Sequence, residues 1–487
     1  MNNPSDRPLA IALSVTPGFD AGVHEIVRLF FPRCRIIGDL PGDLKLEVKV
    51  EKTAHDLKVS IELGGLLQAV TRERISSDHD QIDIKRQIIR LVYSLLRETT
   101  AENPSPYGIL TGVRPVKLVH RYLDRGWTVS GIRRELEDKF LVSPEKSLLL
   151  TEVASRNRPY LLSPGEARKR IGVYIGIPYC PSRCHYCSFP GYPLDHRPGL
   201  PEFFNGLLYE LTRLGEAMAG LGRMVDMIYI GGGTPTVLSR EQWDKLLDAL
   251  HHLFLKSDDV EFTVEAGRPD TLVPEILQRL AAAGVNRICV NPQTMNQATL
   301  DRIGRNHTVG MIADAMELVR KIGFAHVNMD LIIGLPGEGP SDVSRSLDEV
   351  LRLRPEGITL HHLAHKRGSI WQMQGDAPDW SQVRLSGNWW ELLAASGYLP
   401  YYLYRQKMAG NQENIGFALP GTFSRYNIRV IEERETIIGF GGGAASKFVN
   451  PDDWTLTTLH HPKDPATYLS SLERLVKARV DKLQALS

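Results

Sequence analysis

Of the five cysteines in this 487-residue chain, Cys180, Cys184 and Cys187 stand close together in the order C-x3-C-x2-C. Thiols grouped so tightly on one loop read as ligands, not as the framework of a small disulfide scaffold, which a chain of this length does not need. Three thiolates can bind three irons of a [4Fe-4S] cube and leave the fourth iron open to another ligand. Zinc asks for a fourth Cys or His; His185 lies inside the motif, but no second CxxC pair follows. The spacing favours the cluster, with zinc as the alternative. Cys34 and Cys289 stand in apolar stretches and read as small core residues.

A loop of ligands needs elements to hold it. From residue 171 short apolar strands alternate with helix-period segments, the sign of a parallel sheet built from βα units. Six strands are expected, at 171–177, 226–231, 260–265, 286–291, 326–333 and 357–363, with helices between them at 202–219, 240–254, 271–283, 308–322 and 341–353. In a β/α barrel the chemistry sits at the carboxyl ends of the strands. Here those ends carry the three cysteines, then GGGTPT, Glu265, Asn291 with Gln293, Asp330, and His361 with His362. The fold class is therefore α/β, a partial (β/α)6 barrel.

Two further regions flank it. Before residue 100, Leu46, Val48 and Val50 alternate with charged residues, and so do Leu57, Val59, Ile61 and Leu63, which predicts a meander of half-buried strands. Ile84, Ile88, Leu91 and Leu95 then mark a helix over 81–98, broken by the Asn103 to Pro106 segment. The expected domains are an N-terminal α+β extension over 1–164, the barrel over 165–370, and a C-terminal α+β region over 371–487 that covers the substrate and is rich in Trp and Tyr, Trp380 among them. With 58 Lys and Arg against 57 Asp and Glu, bulk charge steers no nucleic acid, so acidic ligands must meet local cations. No apolar run approaches the roughly 20 residues of a membrane span, and the start lacks a basic segment followed by a long apolar one. A cytoplasmic protein without membrane insertion is expected.

Two lesser signals have bland readings. The His361, His362 and His365 group invites haem ligation, but neighbouring strand residues face opposite ways, and a hydrogen bond at the barrel end is the favoured role. Gly439-x-Gly441-x-x-Ala444 matches a dinucleotide fingerprint, yet no βαβ unit with an acidic residue follows, and a close-packed turn opening a helix is expected.

The cysteine loop preceding GGGTP in a six-unit barrel resembles the radical S-adenosylmethionine superfamily. Within it, VYIGIPYCPSRCHYCSF, YIGGGTPT, QTMNQATLDRIGRNH and MDLIIGLPG resemble the oxygen-independent coproporphyrinogen III oxidase (dehydrogenase) family. The stretches YGILTGVRPVKLVH, YRQKMAGNQENIGFALPG and IIGFGGGAASK resemble its subgroup with a long N-terminal extension. The resemblance implies that Cys180, Cys184 and Cys187 hold a [4Fe-4S] cluster and that S-adenosyl-L-methionine binds beside it. Tyr174 would point at the sulfonium as a catalytic residue, with Tyr186 also at the cofactor. Gly231, Gly232, Gly233 and Thr234 would receive the methionine amine, with Glu265 as its acceptor; Arg305 would pair with the carboxylate; Gln293 and Asp330 would hold the ribose hydroxyls.

The implied reaction is removal of hydrogen from substrate propionates by a 5′-deoxyadenosyl radical, giving vinyl groups in anaerobic haem biosynthesis. Its electrons would come from a flavodoxin- or ferredoxin-type reductant. A porphyrinogen or related tetrapyrrole has carboxylates that need cations, and Arg114 and Arg405 lead the candidates, with Lys117, Lys366, Arg367 and Lys407 behind them. The chain departs from the best-known members at Phe189, where they have a fourth cysteine, and at Gly176, where they have histidine. Relatives that handle haem without decarboxylation share the shorter pattern, so a haem-binding chaperone and a haem-degrading radical enzyme are the alternatives.

Overall fold

The expected alternation near the N-terminus builds a five-stranded sheet in the order β2-β1-β3-β4-β5, from β1 (Ala10–Val15), β2 (Arg35–Ile37), β3 (Leu44–Lys52), β4 (Asp56–Gly65) and β5 (Ala69–Ser76). The computed structural model describes the chain except residues 1–7, 33, 39–40, 54–55, 77–79, 196–198, 258, 365–367, 372–388, 407–411 and 486–487. His365, Lys366, Arg367, Trp380 and Lys407 lie outside the described residues. The chain divides into two units, Met1–Ser155 with Tyr404–Glu413, and Arg156–Leu403 with Asn414–Ser487.

In the first unit β3, β4 and β5 form the meander, and Leu46, Val48 and Val50 stand opposite Leu63, Ile61 and Val59. The face they share is closed by the helix Gln81–Thr100, whose buried stripe is Ile84, Ile88, Val92, Leu95 and Leu96. Asp80 starts that helix by accepting a hydrogen bond from Asp83 N at 2.7 Å. β1 and β2 depart from a simple meander: both run parallel, joined by the helix Asp20–Phe30, because a parallel pair needs a crossover longer than a hairpin.

The second unit is built on an 11-stranded sheet. Its centre is β6 (Arg170–Ile177), β7 (Met224–Gly232), β8 (Glu261–Glu265), β9 (Arg287–Cys289), β10 (His326–Ile333) and β11 (Gly357–His362), each parallel to the next. These are the six strands expected, within a few residues at each end. They are buried on both faces, as strands covered by helices must be: the neighbours Met227 and Ile228 of β7, which point to opposite faces, are both fully buried. The helices Leu200–Gly220, Arg240–Leu253, Pro274–Ala282, Val309–Ile322 and Pro340–Arg352 cover the strands with one stripe each, in the last case Val343, Leu347 and Val350. Local sequence starts them. Ser239 and Gln242 exchange hydrogen bonds of 2.9 and 3.2 Å in a capping box, and Thr308 accepts from Met311 N.

Five strands from residues 371–487, expected as a region of their own, extend this sheet at both edges. Beyond β11 come β13 (Glu413–Ala418), antiparallel to it, and then β12 (Leu399–Arg405). Beyond β6 come β14 (Thr436–Phe440), parallel to it, then β15 (Ala445–Val449), antiparallel to β14, and β16 (Leu456–His460), antiparallel to β15. The barrel thus has a seventh parallel strand. The glycine-rich segment after β14 leads into a strand and not, as expected, into a helix; β15 finds an open sheet edge there, and edge pairing satisfies its backbone groups.

Candidate functional site

The carboxyl end of β6 runs directly into the cysteine loop. Cys180 N donates to Tyr192 O at 2.9 Å, Tyr192 N to Pro178 O at 2.8 Å, and His185 N to Ile303 O at 3.0 Å, so the loop is tied at both ends and in its middle. The end of β7 packs against it. Gly232 has φ +111°, and a Cβ there would stand 2.9 Å from Ile177 N. A Cβ on Gly233 would stand 2.6 Å from Tyr179 O and 2.9 Å from Cys180 Sγ. Only glycine lets the two loops approach this closely. Thr234, expected at a ligand amine, donates its hydroxyl to Cys180 Sγ at 3.3 Å and is buried.

Burial raises the Cys180 thiol, and burial with Cys184 beside it pushes Cys187 up to about 11. Three thiolates here need compensating positive charge. Arg305 acts electrostatically on all three and is held by Gly267 O and Asn291 O at 3.3 and 3.2 Å. Among the described residues no three His, Cys, Asp or Glu side chains converge on a single ion position, as a zinc site would require. A cube asks something different: each thiolate takes its own iron. The donor set fits a [4Fe-4S] cluster.

Next to the loop, Glu265 ends β8. Its Oε1 accepts from Tyr229 OH at 2.5 Å and its Oε2 from Gly232 N at 3.2 Å, while a Cβ on Gly231 would stand 2.7 Å from Oε2. Burial pushes this carboxyl up to about 7, with Asp330 adding to the shift and Tyr229 and Gly232 opposing it. Glu265 and Asp330 line one cavity of about 210 Å³ in the barrel lumen, together with Tyr229, Cys289, Asn328 and His361. Asp330 Oδ1 accepts from Asn328 Nδ2 at 2.8 Å, and Oδ2 lies 3.6 Å from His361 Nε2; burial raises this carboxyl, but His361, Thr359 and Asn328 outweigh it and hold it below the usual range. His361 faces the lumen, whereas the His362 side chain is buried on the other face of β11, and the His362 backbone N–H donates to Asn414 Oδ1 at 3.0 Å.

The remaining expected residues are placed as follows. Tyr174 stacks on Tyr229 with centroids 6.1 Å apart, and Tyr229 on Tyr426 at 4.4 Å. Tyr186 follows Cys184 on the loop, its ring 6.4 Å from that of Trp371. Gln293 has φ +68° and joins β10 through its backbone, N to Asp330 O and Ile332 N to its own carbonyl. In the first unit Arg114 lies 5.7 Å over the Tyr404 ring and is half-buried. Arg405, 5% exposed, donates to Leu110 O and lies 4.1 Å over Tyr107; these partners are interior ones. Cys289 is buried in the lumen, but Cys34 is only half-buried.

Sequence reasoning missed Tyr229, which sits mid-strand and reads as core. It also missed Arg268, whose Nη1 donates to Ser182 O of the cysteine loop at 3.0 Å while Asp270 takes its Nε and Nη2. A basic residue just past a strand end was the available signal.

A parallel β/α barrel with a three-cysteine loop at its carboxyl end, a glycine turn against that loop and a carboxylate behind the turn defines a radical S-adenosylmethionine protein, and residues 174–350 match the radical SAM superfamily. The chain is 36% identical over 489 residues, 95% of its own length and 95% of the relative's, to the oxygen-independent coproporphyrinogen-III oxidase-like protein HemZ of Bacillus subtilis (strain 168). It belongs to that family. It is also 38% identical over 193 residues to the haem chaperone HemW of the same organism, covering 39% of this chain and 50% of that one. Coproporphyrinogen III oxidase (HemN) from Escherichia coli shares the fold, with a TM-score of 0.51 at 22% identity over 64% of this chain and 71% of that one. Among the described residues, no helix is long and apolar enough to cross a membrane.

Proposed function

We propose that this protein carries out the oxygen-independent oxidative decarboxylation of coproporphyrinogen III. The observation that supports it most is the similarity to HemZ along nearly the whole length of both chains, including the regions outside the barrel. Cys180, Cys184 and Cys187 would hold the [4Fe-4S] cluster, which with S-adenosyl-L-methionine supplies a 5′-deoxyadenosyl radical once an electron arrives from a flavodoxin- or ferredoxin-type donor. For each propionate, that radical would take a hydrogen atom from the β-carbon to give 5′-deoxyadenosine, and CO2 would leave as one electron passes to an external one-electron acceptor, leaving a vinyl group.

The chain's own part is binding and orientation. Glu265, as carboxylate, would receive the ligand amine; Asp330, kept ionised, would receive ribose hydroxyls with Gln293; Arg305 would neutralise the thiolates and pair with the methionine carboxylate; Tyr229 lines the lumen, and Tyr174, stacked on it, would point at the sulfonium. The tetrapyrrole's carboxylates need cations, and Arg114 is the candidate for them.

The alternative is a haem chaperone, favoured by the match to HemW and by Phe189 and Gly176, which depart from the decarboxylase pattern. Anaerobic incubation of reconstituted protein with coproporphyrinogen III, reductant and S-adenosylmethionine separates the two by product mass. Loss of about 46 mass units per propionate (CO2 and two hydrogens) supports decarboxylation; stoichiometric haem binding without that loss overturns it in favour of the chaperone.

A further inference from the structure

The glycine-rich segment after β14 has a role that its sequence pattern does not announce. Its turn is pressed against the two ends of the cysteine loop. A Cβ on Gly441 would overlap Gly176 O, one on Gly442 would stand 3.1 Å from Pro178 Cγ, and one on Gly443 would stand 2.7 Å from Pro190 Cγ. There is no room for a dinucleotide. The amide that such a ligand would use is taken by a side chain, since Gly441 N donates to Glu210 Oε2 at 2.8 Å.

Behind the turn, four side chains from separate segments form one buried node. Glu210 belongs to the helix Leu200–Gly220, Tyr468 to the helix Pro465–Ser470, Arg479 to the helix Leu472–Gln484, and His461 follows β16. Tyr468 OH donates to Glu210 Oε2 at 2.7 Å, and Arg479 donates to Glu210 Oε1 at 2.5 Å and to Gly439 O at 2.9 Å. His461 Nδ1 donates to Gly441 O at 2.6 Å. All four are at most 6% exposed. Burial opposes the Glu210 charge, yet His461, Arg479 and the Gly441 amide outweigh it and hold the carboxyl down at about 2. The node is thus fully hydrogen-bonded, the condition under which buried charge rigidifies its surroundings. Of the four, only Glu210 lies within the matched span 174–350.

We infer that Glu210, Tyr468, His461 and Arg479 form a latch through which the C-terminal helix positions the cysteine loop by way of the Gly441–Gly443 turn. Glu210 is its central positioning residue. The inference rests on the cluster proposed above: a turn held stiffly under Pro178 and Pro190 keeps the loop closed over its irons and keeps solvent from the thiolates. Opening the latch locally frees the loop without unfolding the barrel.

A second buried node supplies the control. Arg429 Nη1 lies 2.7 Å from Asp226 Oδ2 and 2.8 Å from Glu435 Oε2, near the beginnings of β7 and β14, at the end of the strands opposite the cysteines. The test compares anaerobically reconstituted full-length parent, Glu210→Gln, Tyr468→Phe and Asp226→Asn. Iron loss to a chelator is followed by bleaching, and the cluster's reduction potential by titration.

Glu210→Gln is expected to lose iron about tenfold faster than the parent, as loss of a charged buried hydrogen-bond acceptor implies. Its potential should rise as solvent reaches the cluster. Tyr468→Phe should shift both in the same direction by less, and it carries the test if Glu210→Gln does not fold. Asp226→Asn should lower Tm with iron loss unchanged. Parent-like iron loss and potential in both latch variants, or equal acceleration by Asp226→Asn, overturns the latch. A parent that takes up no [4Fe-4S] cluster overturns instead the reading of the cysteine loop on which it rests.

Discussion

If Glu265 receives the ligand amine as proposed, the binding of S-adenosylmethionine depends on pH in a direction set by the burial of that carboxyl. Its carboxyl, pushed up to about 7 mainly by burial, is largely protonated in mildly acidic solution, and a neutral carboxyl gives an ammonium no ion pair. Binding must then release a proton, so the apparent Kd weakens about tenfold for each pH unit below about 7 and levels off above it. Asp330 lies in the same cavity, but its carboxyl is held below the usual range and stays ionised throughout. The ligand's own α-amine loses its proton near pH 8 or just below, which adds a falling alkaline limb. The profile is a bell whose acid limb belongs to Glu265.

In Glu265→Gln the acid limb should vanish. Affinity near the optimum should fall about 10- to 150-fold, the equivalent of about 1.5–3 kcal/mol for a charged hydrogen bond. Equilibrium dialysis of labelled S-adenosylmethionine against anaerobic holoprotein, at fixed ionic strength from about pH 5.5 to 8.5, reads both quantities. A parent Kd that is flat across the acid range, or an acid limb that survives in Glu265→Gln, would refute the assignment of the amine to this carboxylate.

Three further outcomes are expected. Gly233→Ala forces a Cβ to within 2.9 Å of Cys180 Sγ, so the purified variant should fold by circular dichroism yet take up far less iron than the parent. Asp330→Ala should weaken S-adenosylmethionine binding by about 1–3 kcal/mol, measured in the same dialysis, because a charged acceptor is lost. Arg114→Ala should raise the KM for coproporphyrinogen while leaving uncoupled cleavage of S-adenosylmethionine near the parent rate, since removing a contact made equally in ground and transition states changes KM alone.

The barrel was legible because its strands are buried on both faces and read as unbroken apolar runs, and because polar residues gather at their ends. Glu265 and Asp330 were visible on that logic, and the structure sets them in one lumen. Thr234 was seen as a hydroxyl near a ligand, but that its partner would be Cys180 Sγ depends on two loops meeting, which no local pattern encodes. Tyr229 was hidden for the opposite reason: an aromatic in mid-strand looks like core until its hydroxyl is found on Glu265. The seventh parallel strand was hidden by distance. Its residues, TIIGF, differ little from those of any interior strand, and its place beside β6 is settled by a pairing between Ile171 and Thr436. Arg405 reads in the sequence as a basic residue among tyrosines; that its guanidinium lies over Tyr107 depends on a contact between residues about 300 positions apart.

The pairing of β14 with β6 also has a consequence for biogenesis. β6, which leads into the cysteine loop, has β7 on one side early in synthesis, but its other edge is left open until residues 436–440 have emerged from the ribosome. Contacts of such long sequence separation form late and slowly, and an unpaired edge strand is a template for wrong partners until then. The cysteine loop that follows β6 therefore stands beside an open strand edge until β14 has been made, and its thiols lack that support over about half of synthesis.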